Sequence, residues 1–316
     1  MSDAMEMATT VDADIGADVA WAANADTGLV GRSARRGVRP IIKWAGGKWR
    51  LAPTLRRFMP PVERIRRYYE PFVGGAALFF HLQPADAQLS DTNPELINLY
   101  TVVRDQLPAL LDALRGHVNE SAYYYRVREQ DPATLGDIER AARLIYLNKT
   151  CYNGLYRVNA RGAFNVPFGR FSNPAICDAA NLALANAALQ GVALRLADYE
   201  TALAKATAGD LIYFDPPYQP VSKTASFTSY TQTRFGPDEQ ARLAGMMATL
   251  AARGCYVTQS NSDTPLIRDL YGALPGFILH TIQATRAINS KASARGPVNE
   301  LVITNYASTA PAVGAR

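Results

Sequence analysis

Four apolar residues, Leu211-Ile212-Tyr213-Phe214, run straight into Asp215-Pro216-Pro217-Tyr218, and no other stretch limits the fold as strongly. A short, uninterrupted apolar run is the pattern of a strand buried on both faces. Proline donates no ladder hydrogen bond and fixes its own backbone, so the strand has to stop at Asp215. The tetrapeptide therefore stands at the carboxyl end of a central strand. In open α/β sheets that edge is where ligands bind.

The chemistry on offer there is specific. Asp215 brings an acceptor-only carboxylate, Pro216 a carbonyl outside any ladder, and Tyr218 an aromatic face. An exocyclic amino group on a planar base matches this set, with its two N–H donors on Asp215 and Pro216 and its ring stacked on Tyr218. Held so, the nitrogen turns its lone pair away from the strand, ready for in-line attack on an electrophile. Taken alone, the four residues also fit a strand followed by an ordinary proline turn.

Upstream, Tyr68 to Phe80 reads as a strand, a glycine turn at Gly74-Gly75 and a helix, with the full G-x-G-x-x-G spacing missing. The next strand, from Ala87, ends in Asp91, close to the ~20-residue distance at which a carboxylate grips ribose hydroxyls in dinucleotide folds. Together these features imply a ribose-bearing cofactor, and the degenerate glycine pattern argues against a pyrophosphate. Asn93-Pro94-Glu95 has the form of a helix cap with proline in the first turn. Val192 to Leu196 forms another short strand, ending at Asp198-Tyr199. Strands are also expected at Cys255 to Asn261 and Glu300 to Tyr306, and Gln219 to Phe235 reads as a long loop beside the site.

Earlier still, Lys43-Trp44-Ala45-Gly46-Gly47-Lys48 can wrap backbone around an anionic group while Lys48 contributes a mobile charge. It lacks Walker spacing, and taken by itself a surface turn is its commoner explanation. Arginines and lysines from Arg32 to Arg67 crowd one region of a chain whose net charge is +5. Such a run is most often a solvated face, and its density also suits a polyanion.

At 316 residues, 48% hydrophobic and 19% charged, the chain has material for one large core and a subdomain, and no apolar run approaches membrane-spanning length. Cys151, Cys177 and Cys255 have neither disulfide-framework nor metal-ligand spacing, which suits a reducing cytoplasm. Residues 1 to about 30 lack the basic start and apolar block of a signal peptide.

Between the second and third strands the character changes. Tyr123 to Arg128 and Ile138 to Leu147 read as helices, followed by alternating Tyr156, Val158, Phe164 and Val166 around Ala160-Arg161-Gly162. This is a two-stranded hairpin with glycine at its turn. A two-stranded ribbon fits the DNA major groove, where arginine can bond guanine O6 and N7 together. A solvated hairpin with idle arginines would have the same sequence.

In order, Lys-Trp-Ala-Gly-Gly-Lys, Glu-Pro-Phe-Val-Gly, Ser-Asp-Thr-Asn, the Tyr-Asn-Gly hairpin segment, Asp-Pro-Pro-Tyr and Ser-Asn resemble the DNA adenine methylase family, the D12 class, alpha-group N6-adenine-specific DNA methyltransferases. The resemblance spans about Pro40 to Tyr306. It implies an α/β fold, a Rossmann-like S-adenosylmethionine-dependent methyltransferase sheet with an inserted, mainly helical DNA-recognition subdomain carrying the hairpin. The expected division is a tail over 1–37, a catalytic domain from 38–93 and 181–307, a recognition subdomain over 94–180, and a tail over 308–316.

The resemblance also implies roles. Trp44, Lys48, Phe72, Gly74, Asp91, Asp198, Tyr199 and Asp215 would bind S-adenosylmethionine, leaving S-adenosylhomocysteine as product, with Asp91 on its ribose and Asp198 and Tyr199 on its adenine. Asp215, Pro216, Pro217 and Tyr218 would hold the flipped target adenine. Lys43, Tyr152, Asn153, Leu155, Arg157, Arg161, Pro167, Arg170 and Phe171 would contact double-stranded DNA, with Arg157 reading guanine. Phe171 stands where tyrosine is more usual, and Tyr156, Val158 and Gly75 also depart from the pattern, so the recognition sequence stays open. The expectation includes no metal and no membrane, a cytoplasmic, nucleoid-associated location, and a homodimer as an open option. Two alternatives differ in kind: an amino-methylase acting on cytosine N4 or on RNA, and a catalytically silent DNA-binding regulator. The silent regulator has no need of Asp91, Asp198 and Asp215 at three strand ends.

Overall fold

The computed structural model describes residues 37–220, 235–285 and 297–308. Within them lie seven strands: β1 (Tyr68–Glu70), β2 (Ala87–Asp91), β3 (Ala193–Leu196), β4 (Leu211–Phe214), β5 (Tyr256–Ser262), β6 (Ile278–Thr285) and β7 (Pro297–Thr304). The helices are α1 (Ala52–Arg56), α2 (Ala77–Leu82), α3 (Pro94–Asp105), α4 (Leu107–Arg115), α5 (Ser121–Glu129), α6 (Asp137–Thr150), α7 (Ala179–Leu189), α8 (Tyr199–Ala202), α9 (Pro237–Ala252) and α10 (Pro265–Gly272).

The strands form one sheet in the order β3-β2-β1-β4-β5-β7-β6. The first five are parallel, as helical crossovers between them require, whereas β7 runs antiparallel to both β5 and β6. Tyr68 and Tyr69 of β1 pair with Leu211 and Ile212 of β4. From β1 the chain steps outward to β2 and β3, then returns to β4 on the other side of β1. The order therefore reverses between β1 and β4, and their carboxyl ends border the open crevice where such sheets bind ligands.

Side chains alternate across the sheet and fill two apolar layers. Tyr68, Leu211, Tyr213 and Val302 join one layer with α2, α3, α4, α6 and α7. Tyr69, Ile212, Phe214 and Leu301 join the other with α8, α9 and α10. Both faces are thus covered, and β4 is buried at every position, as its unbroken apolar run demands. The third layer, around Tyr124, Val127, Tyr146, Cys151, Phe164 and Val166, holds the segment after α6 against α5 and α6.

Asn93 caps α3 as expected, its side chain accepting from Glu95 N at 3.0 Å. The hairpin is a short one: a bridge joins Val158 to Phe164, Asn159 N donates to Ala163 O and Asn165 N to Arg157 O. The loop read between Gln219 and Phe235 lies mostly outside the described residues, as do Lys291 and Arg295.

The basic run divides. Arg66 pairs with Asp210 and Arg67 with Asp86, both at 2.8 Å, and Arg39 with Asp178 at 3.0 Å. Arg66 and Arg67 immediately precede β1, so they lie at the amino ends of the strands, opposite the crevice. That part of the run joins strand entrances rather than offering itself to a polyanion at the ligand edge.

Candidate functional site at the carboxyl edge of the sheet

Asp215 leaves β4 with its side chain one-fifth exposed, 2.8 Å from the Nζ of a buried Lys48. Ser260 of β5 donates to the same carboxylate oxygen at 3.1 Å and lies 2.8 Å from the Tyr213 hydroxyl. Burial pushes the Asp215 carboxyl above its ordinary range, and Lys48 and Ser260 pull it back down. The Lys48 ammonium also donates to Gly46 O and stands 4.4 Å from the centre of the Tyr218 ring. Tyr218 in turn donates its hydroxyl to Glu300 of β7 at 3.0 Å. Pro217 O accepts from Gln240 Nε2, and Gln240 Oε1 accepts from Asn261. The turn after β4 is thereby tied to α9 and β5, which fixes Asp215 and Tyr218 in one orientation.

Across the crevice, β1 ends in Glu70 and runs into Pro71, Phe72 and Gly74. Gly74 has φ +44°, its N–H donates to Asp91 at 3.1 Å, and its carbonyl accepts from the Tyr100 hydroxyl at 2.6 Å. A Cβ at Gly74 would lie 2.7 Å from Trp44 Cδ1, so the indole occupies the space a side chain would need. Asp91, at the end of β2, also accepts from Asn93 N at 2.9 Å, and burial pushes its carboxyl up against those bonds. Phe72 packs against Tyr199, Phe214 and Phe235. Asp198 is exposed after β3 and caps α8 through Thr201 N at 2.7 Å. Beside it the Tyr199 hydroxyl is buried without a partner among the described residues.

Glu70 is a fully buried carboxyl that accepts from Tyr68 Oη at 2.9 Å. Burial pushes it up to about 8, with the Tyr68 bond working in the opposite direction. The folded chain thus holds a proton that the unfolded chain releases at lower pH. Stability therefore falls as pH rises from the ordinary carboxylate range through about 8. Glu70→Gln is expected to raise the melting temperature at about pH 9 and to leave it unchanged near about pH 4, as thermal unfolding at both values will show.

All but Lys43 of the residues expected to meet DNA lie on the inserted segment. Lys43, Tyr152, Asn153, Arg157, Arg161, Pro167, Arg170 and Phe171 are exposed, and Leu155 is half-buried. Asn153 and Gly154 take left-handed conformations, φ +57° and +65°, which turn Tyr152 outward to 52% exposure. Arg157 is braced by Asn165, whose Oδ1 accepts from Nε at 2.6 Å.

One segment touches every part of this arrangement. Lys43 N bonds Asn148, and its ammonium stands over Phe171 at 5.4 Å; Trp44 stacks on Tyr156 at 4.7 Å and covers Gly74; Lys48 reaches Asp215. A loop that alone reads as a surface turn is the brace between hairpin, glycine turn and central strand end.

Sequence reasoning assigned no role to Ser260, Glu300, Gln240, Asn261 or Glu70, although four of them border Asp215 or its turn. The usable signal was polar residues, Gln259-Ser260-Asn261, in strand β5, which the structure buries completely. Among the described residues, no helix is long and apolar enough to cross a membrane, and no group of three His, Cys, Asp or Glu could hold a metal ion.

The chain is similar in sequence to known proteins. Residues 44–288 match the model of the D12 class N6 adenine-specific DNA methyltransferases. The chain is 40% identical over 277 residues to the type II methyltransferase M1.LlaDCHI of Lactococcus lactis subsp. cremoris, covering 85% of this chain and 96% of that one. It is 39% identical over 290 residues to the type II methyltransferase M.MjaIII of Methanocaldococcus jannaschii, covering 85% and 99%. To the DNA adenine methylase of Escherichia coli (strain K12) it is 36% identical over 268 residues, covering 84% and 94%.

Proposed function

The chain belongs to the D12 class of N6-adenine-specific DNA methyltransferases, and from that membership we propose how its residues divide the work. It is an adenine-specific DNA methyltransferase, and the family implies S-adenosylmethionine as methyl donor and DNA as substrate.

The observation that carries the assignment of roles is the meeting of Asp215, Tyr218 and the Gly74 turn at the two strand ends bordering the reversal point. The chain fits the cofactor there: a tight glycine turn under the Trp44 indole, the Asp91 carboxylate, an aromatic wall of Phe72 and Tyr199, and the Tyr199 hydroxyl, unpartnered among the described residues. Trp44, Lys48, Phe72, Gly74, Asp91, Asp198, Tyr199 and Asp215 would hold it. When bound, it supplies a sulfonium methyl group as electrophile.

The target adenine leaves the duplex at a cost of a few kcal/mol and enters beside Tyr218. Its amino group donates to Asp215 and to the Pro216 carbonyl, which orients the N6 lone pair along the line of attack. Pro217 keeps that turn rigid. Transfer of the methyl group from the sulfonium to N6 would place positive charge on N6, which the Asp215 and Pro216 oxygens stabilise. The surplus N6 proton leaves along the Asp215 bond and passes to water.

The set Lys43, Tyr152, Asn153, Leu155, Arg157, Arg161, Pro167, Arg170 and Phe171 holds the duplex, phosphates by charge and bases by Arg157. With Nε on Asn165 Oδ1 and Nη2 on Asn165 O at 3.2 Å, Arg157 keeps the Nη1 end of its guanidinium for guanine. Arg157→Ala is expected to relax preference at one base pair by about 1–3 kcal/mol, roughly 5- to 150-fold in relative kcat/KM. Competition between substrates differing at single positions measures this, and unchanged preference at every position removes Arg157 as a reader.

A further inference from the structure

The carboxylate of Asp215 is held on one side only. Lys48 Nζ, at 2.8 Å, and Ser260 Oγ, at 3.1 Å, both engage Oδ1, while among the described residues nothing bonds Oδ2. The two anchors are themselves fixed, Lys48 by Gly46 O at 2.5 Å and Ser260 by the Tyr213 hydroxyl at 2.8 Å. Lys48 is only 6% exposed, deeper than an idle surface lysine would be.

We propose that Lys48, supported by Ser260, is a positioning residue for methyl transfer: it holds Asp215 by Oδ1 as an ionised acceptor, leaving Oδ2 to receive an N–H of the target amine. The proposal rests on the reading that Asp215 accepts from the adenine amino group. On this geometry the base stacks on the face of Tyr218 away from Lys48.

The charge state decides whether the site works. A neutral carboxyl carries an O–H donor, and beside an amino group it would donate into the nitrogen lone pair. That is the pair required for attack on the methyl carbon. An ionised carboxylate has acceptors alone and can bind only the N–H side. The surroundings otherwise oppose ionisation. Burial does so directly; Glu70 from β1, which stays protonated up to about 8, and Glu300 from β7 lie in the same neighbourhood, and Tyr68, Tyr213 and Tyr218 bring no positive charge. Lys48 is the cation that the described residues pair with Asp215.

The experiment uses the full-length enzyme with DNA and S-adenosylmethionine both saturating, so that weakened cofactor affinity does not enter, and follows kcat from about pH 5.5 to about pH 9. In Lys48→Met the acid limb is expected to move to higher pH by about one unit or more, giving a loss of roughly tenfold or greater near pH 6 that shrinks toward pH 9. Ser260→Ala is expected to move the limb the same way by less. A Lys48→Met limb that superimposes on the parent, or a loss equal at every pH, overturns the proposal. Should thermal unfolding show that Lys48→Met does not fold, Ser260→Ala decides, and an unmoved limb there overturns it too. Asp215→Asn separates the two levels: near-parental turnover refutes the underlying role of Asp215, whereas an inactive Asp215→Asn beside an unshifted Lys48→Met profile refutes only the part given to Lys48.

Discussion

Asp215→Ala is expected to bind duplex DNA as tightly as the parent protein and to lose methyl transfer by about 10³-fold. The residues proposed to hold DNA, on the inserted segment and at Lys43, share no side chain with Asp215, so binding and chemistry should separate. The chemical loss has two parts. The carboxylate no longer orients the N6 lone pair, and the charge that develops on N6 loses its nearest anion. The variant also leaves the buried Lys48 ammonium without its partner, a change that costs a folded protein about 3–5 kcal/mol at such sites. Asp215→Asn is the control for that cost, since its amide oxygen can still accept from Lys48 and Ser260. Single-turnover methylation alongside gel-shift binding checks both halves, and turnover comparable to the parent would refute the assignment.

Gly74→Ala is expected to be the most damaging single-methyl change near the cofactor crevice. Its backbone sits at φ +44°, where a side chain costs about 1–3 kcal/mol, and the added Cβ would stand 2.7 Å from Trp44 Cδ1. Trp44 cannot simply swing aside, because it stacks on Tyr156 at 4.7 Å. Nor can the glycine turn retreat, since it is tied through its carbonyl to Tyr100 and through its N–H to Asp91. The strain should therefore appear twice: as lost stability of about 2–4 kcal/mol in urea unfolding, and as cofactor affinity weakened by about tenfold or more in calorimetric titration. Gly245→Ala, in α9 where nothing lies within 4 Å, is the matched control and is expected to be neutral or slightly stabilising. Equal behaviour of the two variants would contradict the role given to Gly74.

These expectations depend on features that differ in how far the chain announces them. The strand ending at Asp215, the glycine turn, the strand ending at Asp91 and the Asn93 cap were all legible, because each is encoded by neighbouring residues: an apolar run, a breaker, a cap. Strand β6 was not, since Ile278-Leu279-His280-Thr281 lies at the sheet's edge, where burial imposes only a weak alternation. The partners of the site were hidden for a different reason. Lys48 is far from Asp215 in the chain, Ser260 lies 45 residues beyond it, and Glu300 lies 82 beyond Tyr218. No local pattern reports contacts at that range. The basic run shows the converse error, because local density suggested a free cationic face. Arg66 and Arg67 were instead spent on Asp210 and Asp86 at the far edge of the sheet. The hairpin falls between these cases: its turn and alternation were readable, its brevity was not.

The most direct measurement is to incubate the full-length protein with unmethylated genomic DNA and S-adenosylmethionine and to map modified bases by single-molecule sequencing. The expected result is N6-methyladenine confined to one short motif, and none when Asp215→Asn is used. Methylation of cytosine N4, or no modification by a protein that demonstrably binds the cofactor, would contradict the account.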